Sequence, residues 1–476
     1  MKVKSSQYLK KIKPQLKNLL SVLLEEYEYA SILAEDSVAK RYSVSKTGVV
    51  ITEDARLSRR GIVVKVYDGN GYAEYSFNQV DEEELALAIQ TLKKTLVPFA
   101  GQLPAGISAS EYKKLADEPC TFHESTEYEL HPEEYGEEKI VSLLTEISEE
   151  GRAMDERVLN CSASFAWQQY SKLFLSEHRD MTQDVLWASG SINANAANGE
   201  KVEFSFRSYS NLGGAELLGQ MKKGLPEVVN TALDLLRSEP MVPGEYDCIC
   251  TPEVTGMIVH EAFGHGVEMD MFVKKRALAE QFVGDYVASE LVTMHDGAAA
   301  AEETATYFFD DEGVLAQDTL IIEKGILKRG ISDSQSAMHL GTKPTGNGRR
   351  ESFSRKAYTR MTNTYFEEGS DTYEDMIASV SYGFLLEQAT SGMEDPKNWG
   401  IQCMVNIARE IKDGKFTGRV CSPIVLTGYV PDLLKSISMV SDVKKLSGGG
   451  FCGKGYKEWV KVSDGGPYIK AKIRLG

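Results

Sequence analysis

Two of the chain's seven histidines and a glutamate fall within six residues, His260-Glu261-Ala-Phe-Gly-His265. Imidazole pairs hold catalytic zinc, and a carboxylate beside them can take a proton from water. The chemistry these types offer is therefore metal-assisted hydrolysis. With 7 His and 70 Asp plus Glu among 476 residues, chance supplies the cluster roughly 0.01 times. The familiar zinc-peptidase signature spaces its histidines four apart, which puts both rings on one helical face. Here the spacing is five. On a regular helix five residues turn the side chain by about 140°, so the rings would diverge and could not share an ion at ~2.1 Å. Gly264 and Gly266 flank His265, and glycine tolerates the unusual dihedrals that a wide turn or helix end after Phe263 would need. The competing reading makes His260 and His265 ordinary core or surface histidines and Glu261 a solvated helix charge.

A catalytic zinc takes three protein groups and keeps one position for water or substrate. Cys452 is the expected third ligand. It sits in Ser447-Gly-Gly-Gly-Phe-Cys-Gly-Lys-Gly455, where five glycines surround one thiol and let the backbone approach another segment closely. Lys454 beside it is expected to favour the thiolate, the metal-binding form. A phosphate cradle is the alternative for such a run, but the hydroxyl that follows a P-loop lysine is missing. Glu268 and Asp270 are close enough in the chain to accept from a ligand imidazole and fix its tautomer, or are simply solvated charges of a turn.

The elements that must position these residues are legible in outline. Thr251 is placed to cap a helix, Pro252 suits its first turn, and Glu253 adds negative charge at the positive end of the dipole. The metal helix then starts about two turns before His260. The preceding strand, Tyr246-Asp-Cys-Ile-Cys250, puts Cys248 and Cys250 on one face as apolar filling rather than as a zinc pair. Glu239-Pro-Met-Val-Pro-Gly244 carries two prolines and a glycine. That boundary signal divides the chain into an N-terminal α+β domain, 1-238, and a C-terminal metal-binding catalytic domain, 239-476.

Upstream, Leu9, Ile12, Leu16, Leu20, Leu23 and Tyr27 follow the spacing of an amphipathic helix. Val49-Val-Ile-Thr and Ile62 to Tyr67, with the turn Asp68-Gly-Asn-Gly71, read as antiparallel hairpins. Asp81 to Lys94 reads as a helix with Leu85, Ile89 and Leu92 on one face. An irregular, acidic stretch from about Pro98 to Glu137 reads as an exposed connection, with His123 and His131 as solvated loop histidines. A helix over Glu138 to Glu150 follows, then strands near Val158, Val185 and Val202 that suggest a second antiparallel sheet, then a helix over Leu225 to Arg237. Downstream, Thr319 to Leu327 is a hairpin and Gly341 to Arg350 a long glycine-rich loop. Arg349 and Arg350 are candidates for holding a substrate carboxylate or an oxyanion, although surface ion pairs are the commoner use of such a pair. His295 and His339 are further candidates, each more often structural. The expected fold class is α+β, an N-terminal α/β region with antiparallel sheets and a C-terminal mostly-β domain carrying the metal helix.

A chain of 476 residues with 42% hydrophobic content can bury two or three cores. The formal charge of −17, with no dense basic run beyond the first twenty residues, argues against nucleic acid as a partner. Seven irregularly spaced cysteines fit a reducing cytoplasm. The apolar run Leu19 to Leu24 is too short and badly flanked for a signal peptide. No stretch of about eighteen apolar residues exists, so no membrane span is expected.

In these residues the chain resembles the TldD/PmbA metallopeptidases, and specifically the TldD-type subunit with its His-Glu-x-x-x-His motif. The resemblance runs in order through His260 to Gly266, Asp310-Asp-Glu-Gly313, Thr345-Gly-Asn-Gly-Arg-Arg350, Arg360-Met-Thr-Asn-Thr-Tyr365 and Cys452-Gly-Lys454. It departs where Gly455-Tyr-Lys-Glu stands in place of the family's glycine then glutamine, and at Ser391-Gly-Met-Glu-Asp-Pro396. The first half matches loosely, chiefly over Gly61 to Ala73. By position the resemblance implies zinc held by His260, His265 and Cys452, Glu261 as the catalytic carboxylate, and flexible or unfolded peptides as substrates. It also implies a dimer, either a homodimer or a heterodimer with a PmbA-type subunit that lacks the metal motif. The expected function is zinc-dependent peptide hydrolysis with Glu261 as general base. Two other classes stay open, a non-catalytic or regulatory subunit whose structural zinc is closed by a fourth protein ligand, and a zinc amidase acting on a small molecule.

Overall fold

Apolar residues alternating with polar ones along Tyr29–Ser45, Val158–Ser176 and Arg179–Asn198 make strands of 17, 19 and 20 residues. A computed structural model, describing residues 1–96, 112–455 and 458–476, pairs them antiparallel as the spine of one eight-stranded sheet. The expectation of a second N-terminal sheet is corrected here. The register from Ser31 opposite Ser176 to Val44 opposite Ala163 joins the early hairpins to the later strands, and a partner so distant in the chain leaves no local signal. Of the expected connection from Pro98, residues 98–111 lie outside the described residues.

One face of this sheet presents Ile32 and Ala34 to Gln7–Leu24 and Glu82–Leu96, and Tyr42 and Val44 to Glu137–Ala153 and Leu217–Leu235. The first helix buries Leu9, Ile12, Leu16, Leu20 and Leu23 along its expected stripe. The helix expected from Leu225 begins earlier, because Leu217, Leu218 and Met221 extend the buried stripe. The opposite face of the sheet, with Leu33, Val63 and Phe174, meets Phe309 of the C-terminal half.

The C-terminal half is built on an eleven-stranded sheet whose central strand, Ser463–Leu475, pairs with Asn363–Phe366, Ile424–Tyr429, Met439–Ser447 and Gly244–Cys250. Cys248 and Cys250 are fully buried in its core, as apolar filling. The two halves are tied by buried charge. Lys65 reaches Glu312 at 2.7 Å and Glu74 at 3.1 Å, and the Arg350 fork grips both oxygens of Glu74.

That grip corrects the expectation for the arginine pair. Arg350 joins the halves, and Arg349 donates to the carbonyls of Met361 and Lys461, so neither lines the metal cleft. His295 sits between Asp318 and Glu367, and His339 lies edge-on to Tyr112. The expectation of solvated loop histidines is corrected for His131 and holds only in part for His123, whose side chain stays half exposed. His123 lies on the strand Cys120–Ser125 and bonds Asp184 at 2.6 Å. His131 is buried, caps the helix Pro132–Tyr135 and bonds Gln169. Their partners come from another strand, which is why proximity in sequence did not reveal them. Among the described residues no helix is long and apolar enough to cross a membrane.

Candidate metal centre

The strand Gly244–Cys250 feeds an α-helix, Pro252–Met257, which continues as a π-helix over Ile258–Gly264 and ends in a 3-10 turn, His265–Val267. The π turn solves the five-residue problem. Its hydrogen bonds span five residues, and the His265 N–H donates to the His260 carbonyl. Side chains five apart therefore return to one face, with ring centroids 5.1 Å apart at 88°. The widening begins at Ile258, ahead of the expected bend after Phe263.

The flanking glycines serve a different purpose from the expected one. Gly264 has ordinary helical dihedrals, φ −59° and ψ −49°. What it supplies is room, since a Cβ there would stand 2.2 Å from Met361 Sδ, and one on Gly266 would stand 2.7 Å from Glu394 Oε1. Thr251 occupies the N-cap position without a capping bond, and its Oγ1 is buried with no partner among the described residues. Glu253 is a weaker dipole partner than expected, because burial and the nearby Asp464 push its carboxyl up to about 7.

Cys452 lies on the short strand Phe451–Lys454, paired with Glu458–Lys461. The buried Arg360 clamps this hairpin from below, donating to the carbonyls of Cys452 at 2.6 Å and Glu458 at 2.9 Å. The thiol comes within 3.5 Å of His265 Nε2. Donor atoms of His260, His265 and Cys452 all lie within 4.8 Å of one another. Two nitrogens and a sulfur are a donor set that suits zinc. Burial opposes the thiolate, but His260 and His265 outweigh it and hold the Cys452 thiol well below its ordinary range. Lys454 takes no part in that, contrary to expectation. Its ammonium bonds Asp270 at 2.6 Å, Glu268 at 3.0 Å and the Thr359 carbonyl at 3.0 Å.

Glu268 places Oε2 3.2 Å from His265 Nδ1 and so fixes that ring. Asp270 turns instead to Lys454 and Lys274. His260 Nδ1 is buried and has no hydrogen-bond partner among the described residues, with Asp464 Oδ2 3.8 Å away. The Glu261 carboxylate lies 4.0 Å from His265 Nε2, and burial raises its carboxyl above the usual range although both imidazoles oppose this. A raised carboxyl is the better proton acceptor near neutral pH. His260, Glu261, His265 and Cys452 line a cleft of about 390 Å³ together with Glu394 and Trp459. Asp464, Glu394 and the clamp by Arg360 were not anticipated. Arg360 falls inside a segment that carries the family resemblance and Glu394 inside one that departs from it, while Asp464 carries no sequence signal.

Residues 243–474 match a family described as the PmbA/TldA metallopeptidase C-terminal domain. A protein of Haemophilus influenzae named "Metalloprotease TldD homolog" is 31% identical over 343 residues, 70% of this chain and 70% of that one. The chain belongs to the PmbA/TldD metallopeptidase family. A second relative, "Zinc metalloprotease TldD homolog" of Saccharolobus solfataricus, is 29% identical over 323 residues, 66% of this chain and 71% of the relative. The crystal structure of TldE from Thermococcus kodakarensis superposes with a TM-score of 0.73 over 96% of this chain and 99% of that one, at 19% identity, which shows the PmbA/TldD fold. As a member of this metallopeptidase family the chain is an enzyme, and the α+β architecture expected from sequence is the family's.

Proposed function

We propose that this protein is a zinc-dependent peptidase acting on flexible or unfolded peptides, with His260, His265 and Cys452 holding the metal and Glu261 as general base. The observation that carries the reading is convergence. Donor atoms from segments 187 residues apart come within 4.8 Å of one another, beside a buried carboxylate. The zinc named for the Saccharolobus relative supports the choice of metal. When bound, zinc polarises a scissile carbonyl and acidifies a water. Glu261 then receives the proton from the attacking water and delivers it to the leaving amine. Glu268 holds His265 in one tautomer, and Arg360 keeps the thiol hairpin in place. Three converging donors leave a fourth position for substrate, which favours a catalytic over a structural ion.

We further assign the chain a division at 238/239, a cytoplasmic setting in keeping with its seven free thiols, and a dimeric state, with itself or with a PmbA-type subunit. The test is Glu261→Gln. It is expected to retain zinc and to hydrolyse an unstructured peptide about 10²–10⁴-fold more slowly, whereas turnover at the normal rate would sink the assignment.

A further inference from the structure

The hairpin that carries Cys452 has a second side. Phe451 and Trp459 line the metal cleft and also a separate cavity between the two sheets. That cavity measures about 70 Å³, and as one water takes ~10–15 Å³ of such volume it holds about five water-sized groups. A short carboxylate or a phosphate has that size.

The cavity wall gathers bases in a protein whose formal charge is −17. Five bases, Arg59, Lys172, Arg349, Arg350 and Lys461, share it with Glu35, Asp310, Asp311 and Glu351. Three of the bases are paired, Arg59 with Glu35, Lys172 with Asp311 and Arg350 with Glu74. Burial and the neighbouring Glu312 raise the Asp310 carboxyl well above the usual range, and its oxygens are taken up by the backbone N–H groups of Glu312, Val314 and Gly348. Two bases, Arg349 and Lys461, remain without a carboxylate among the described residues. Arg349 gives its fork to the Met361 and Lys461 carbonyls, each at 2.6 Å. Lys461 is 7% exposed, yet its Nζ has no hydrogen-bond partner among the described residues. The amine sits 4.6 Å from the ring centroids of both Trp187 and Phe451.

An unpaired buried ammonium is costly, and aromatic faces offset only part of that cost. Burial accordingly pulls the Lys461 amine down to about 7, with Glu303 opposing and Arg41 reinforcing the shift. An acceptor inside the cavity would satisfy both bases at once. We propose that this cavity binds one small anion, a carboxylate or a phosphate group, between the Lys461 amine and the Arg349 guanidinium. Lys461 stands directly opposite Phe451 on the hairpin, and Cys452 is the next residue. An anion held there steadies the strand that presents the thiol, from the side away from the cleft.

Isothermal titration calorimetry of the full chain with sodium acetate and with sodium phosphate tests this, at pH 8 and constant ionic strength, in two buffers of different ionisation enthalpy. One anion is expected to bind per chain with uptake of protons, because an amine largely neutral at that pH becomes charged. The tighter of the two anions assigns the ligand class. Lys461→Met is expected to stay folded, to lose the proton uptake and to bind at least tenfold more weakly. Arg349→Gln, altered at a separate point of the wall, is expected to weaken binding to a similar degree and decides the matter if Lys461→Met does not fold. Absence of saturable heat with both anions overturns the proposal. So does binding unchanged in the variants, which would place the anion at the metal or on the surface.

Discussion

Gly256 lies inside Pro252–Met257, the helix that leads into the metal centre. In an exposed helix, exchanging glycine for alanine stabilises by about 0.5–1 kcal/mol. At Gly256 the sign is expected to reverse. A Cβ there would stand 2.6 Å from Asp464 Oδ1, 2.7 Å from Gly465 N and 2.8 Å from Gly465 Cα. Two of these atoms are backbone of the central strand and cannot swing aside. Overpacking costs about 1–3 kcal/mol, so after the propensity gain Gly256→Ala should be less stable by roughly 1–2 kcal/mol. Gly219 is the control. It is exposed on the helix Leu217–Leu235, with nothing within 4 Å of an added Cβ, and Gly219→Ala should gain about 0.5–1 kcal/mol. Urea denaturation at an unchanged m-value reads both directly. Because Asp464 faces His260, zinc affinity should fall in Gly256→Ala as well. A Gly256→Ala protein as stable as the wild type, beside a Gly219→Ala protein that behaves as expected, would refute close approach as the reason for glycine here.

Three further outcomes are expected. Cys452→Ser replaces a thiolate by an un-ionised hydroxyl, and equilibrium dialysis should show zinc affinity lower by roughly a hundredfold or more. Gly392→Ala would put a Cβ 2.4 Å from Glu261 Cγ. Peptide hydrolysis should fall about 10²-fold as the carboxylate is displaced, with zinc content unchanged. Acid should loosen the join between the halves. Burial raises the Glu74 carboxyl, but Lys65 and Arg350 outweigh it and hold it at about 2. A depressed carboxyl contributes stability that is complete above its ordinary pKa of ~4.3 and is lost as pH falls toward about 2. With the Glu74 side chain 28% exposed, the loss is roughly 2 kcal/mol after solvent screening. Urea midpoints at pH 5 and pH 3 should differ in the wild type more than in Glu74→Gln, and equal slopes would count against the ionic join.

The imidazole pair and Glu261 were legible because ligand chemistry and spacing are local properties, and Cys452 because a lone thiol among glycines is unusual. The device that reconciles a five-residue spacing with one face was not legible. Both an α and a π turn satisfy the backbone, and Gly264 in the π turn packs against Met361, nearly a hundred residues away by the numbering, a contact that carries no local signal. The same holds for Lys454. From sequence it is a cation beside a thiol, yet Glu268 and Asp270 capture it, because a carboxylate pair outcompetes a neighbour in the chain when both are buried. Arg349, Arg350, His123 and His131 likewise found partners on distant strands.

By itself, then, the amino-acid order determined which groups are available to hold a metal and which segments alternate or wind, since these follow from side-chain chemistry and from periods of two and 3.6 residues. Only the tertiary structure decided that two N-terminal sheets are one, that Asp464 faces His260, and that a base-lined cavity lies behind the thiol. Those are contacts between residues far apart in the chain, and burial gives them their energy by removing the water that would otherwise satisfy each charge alone.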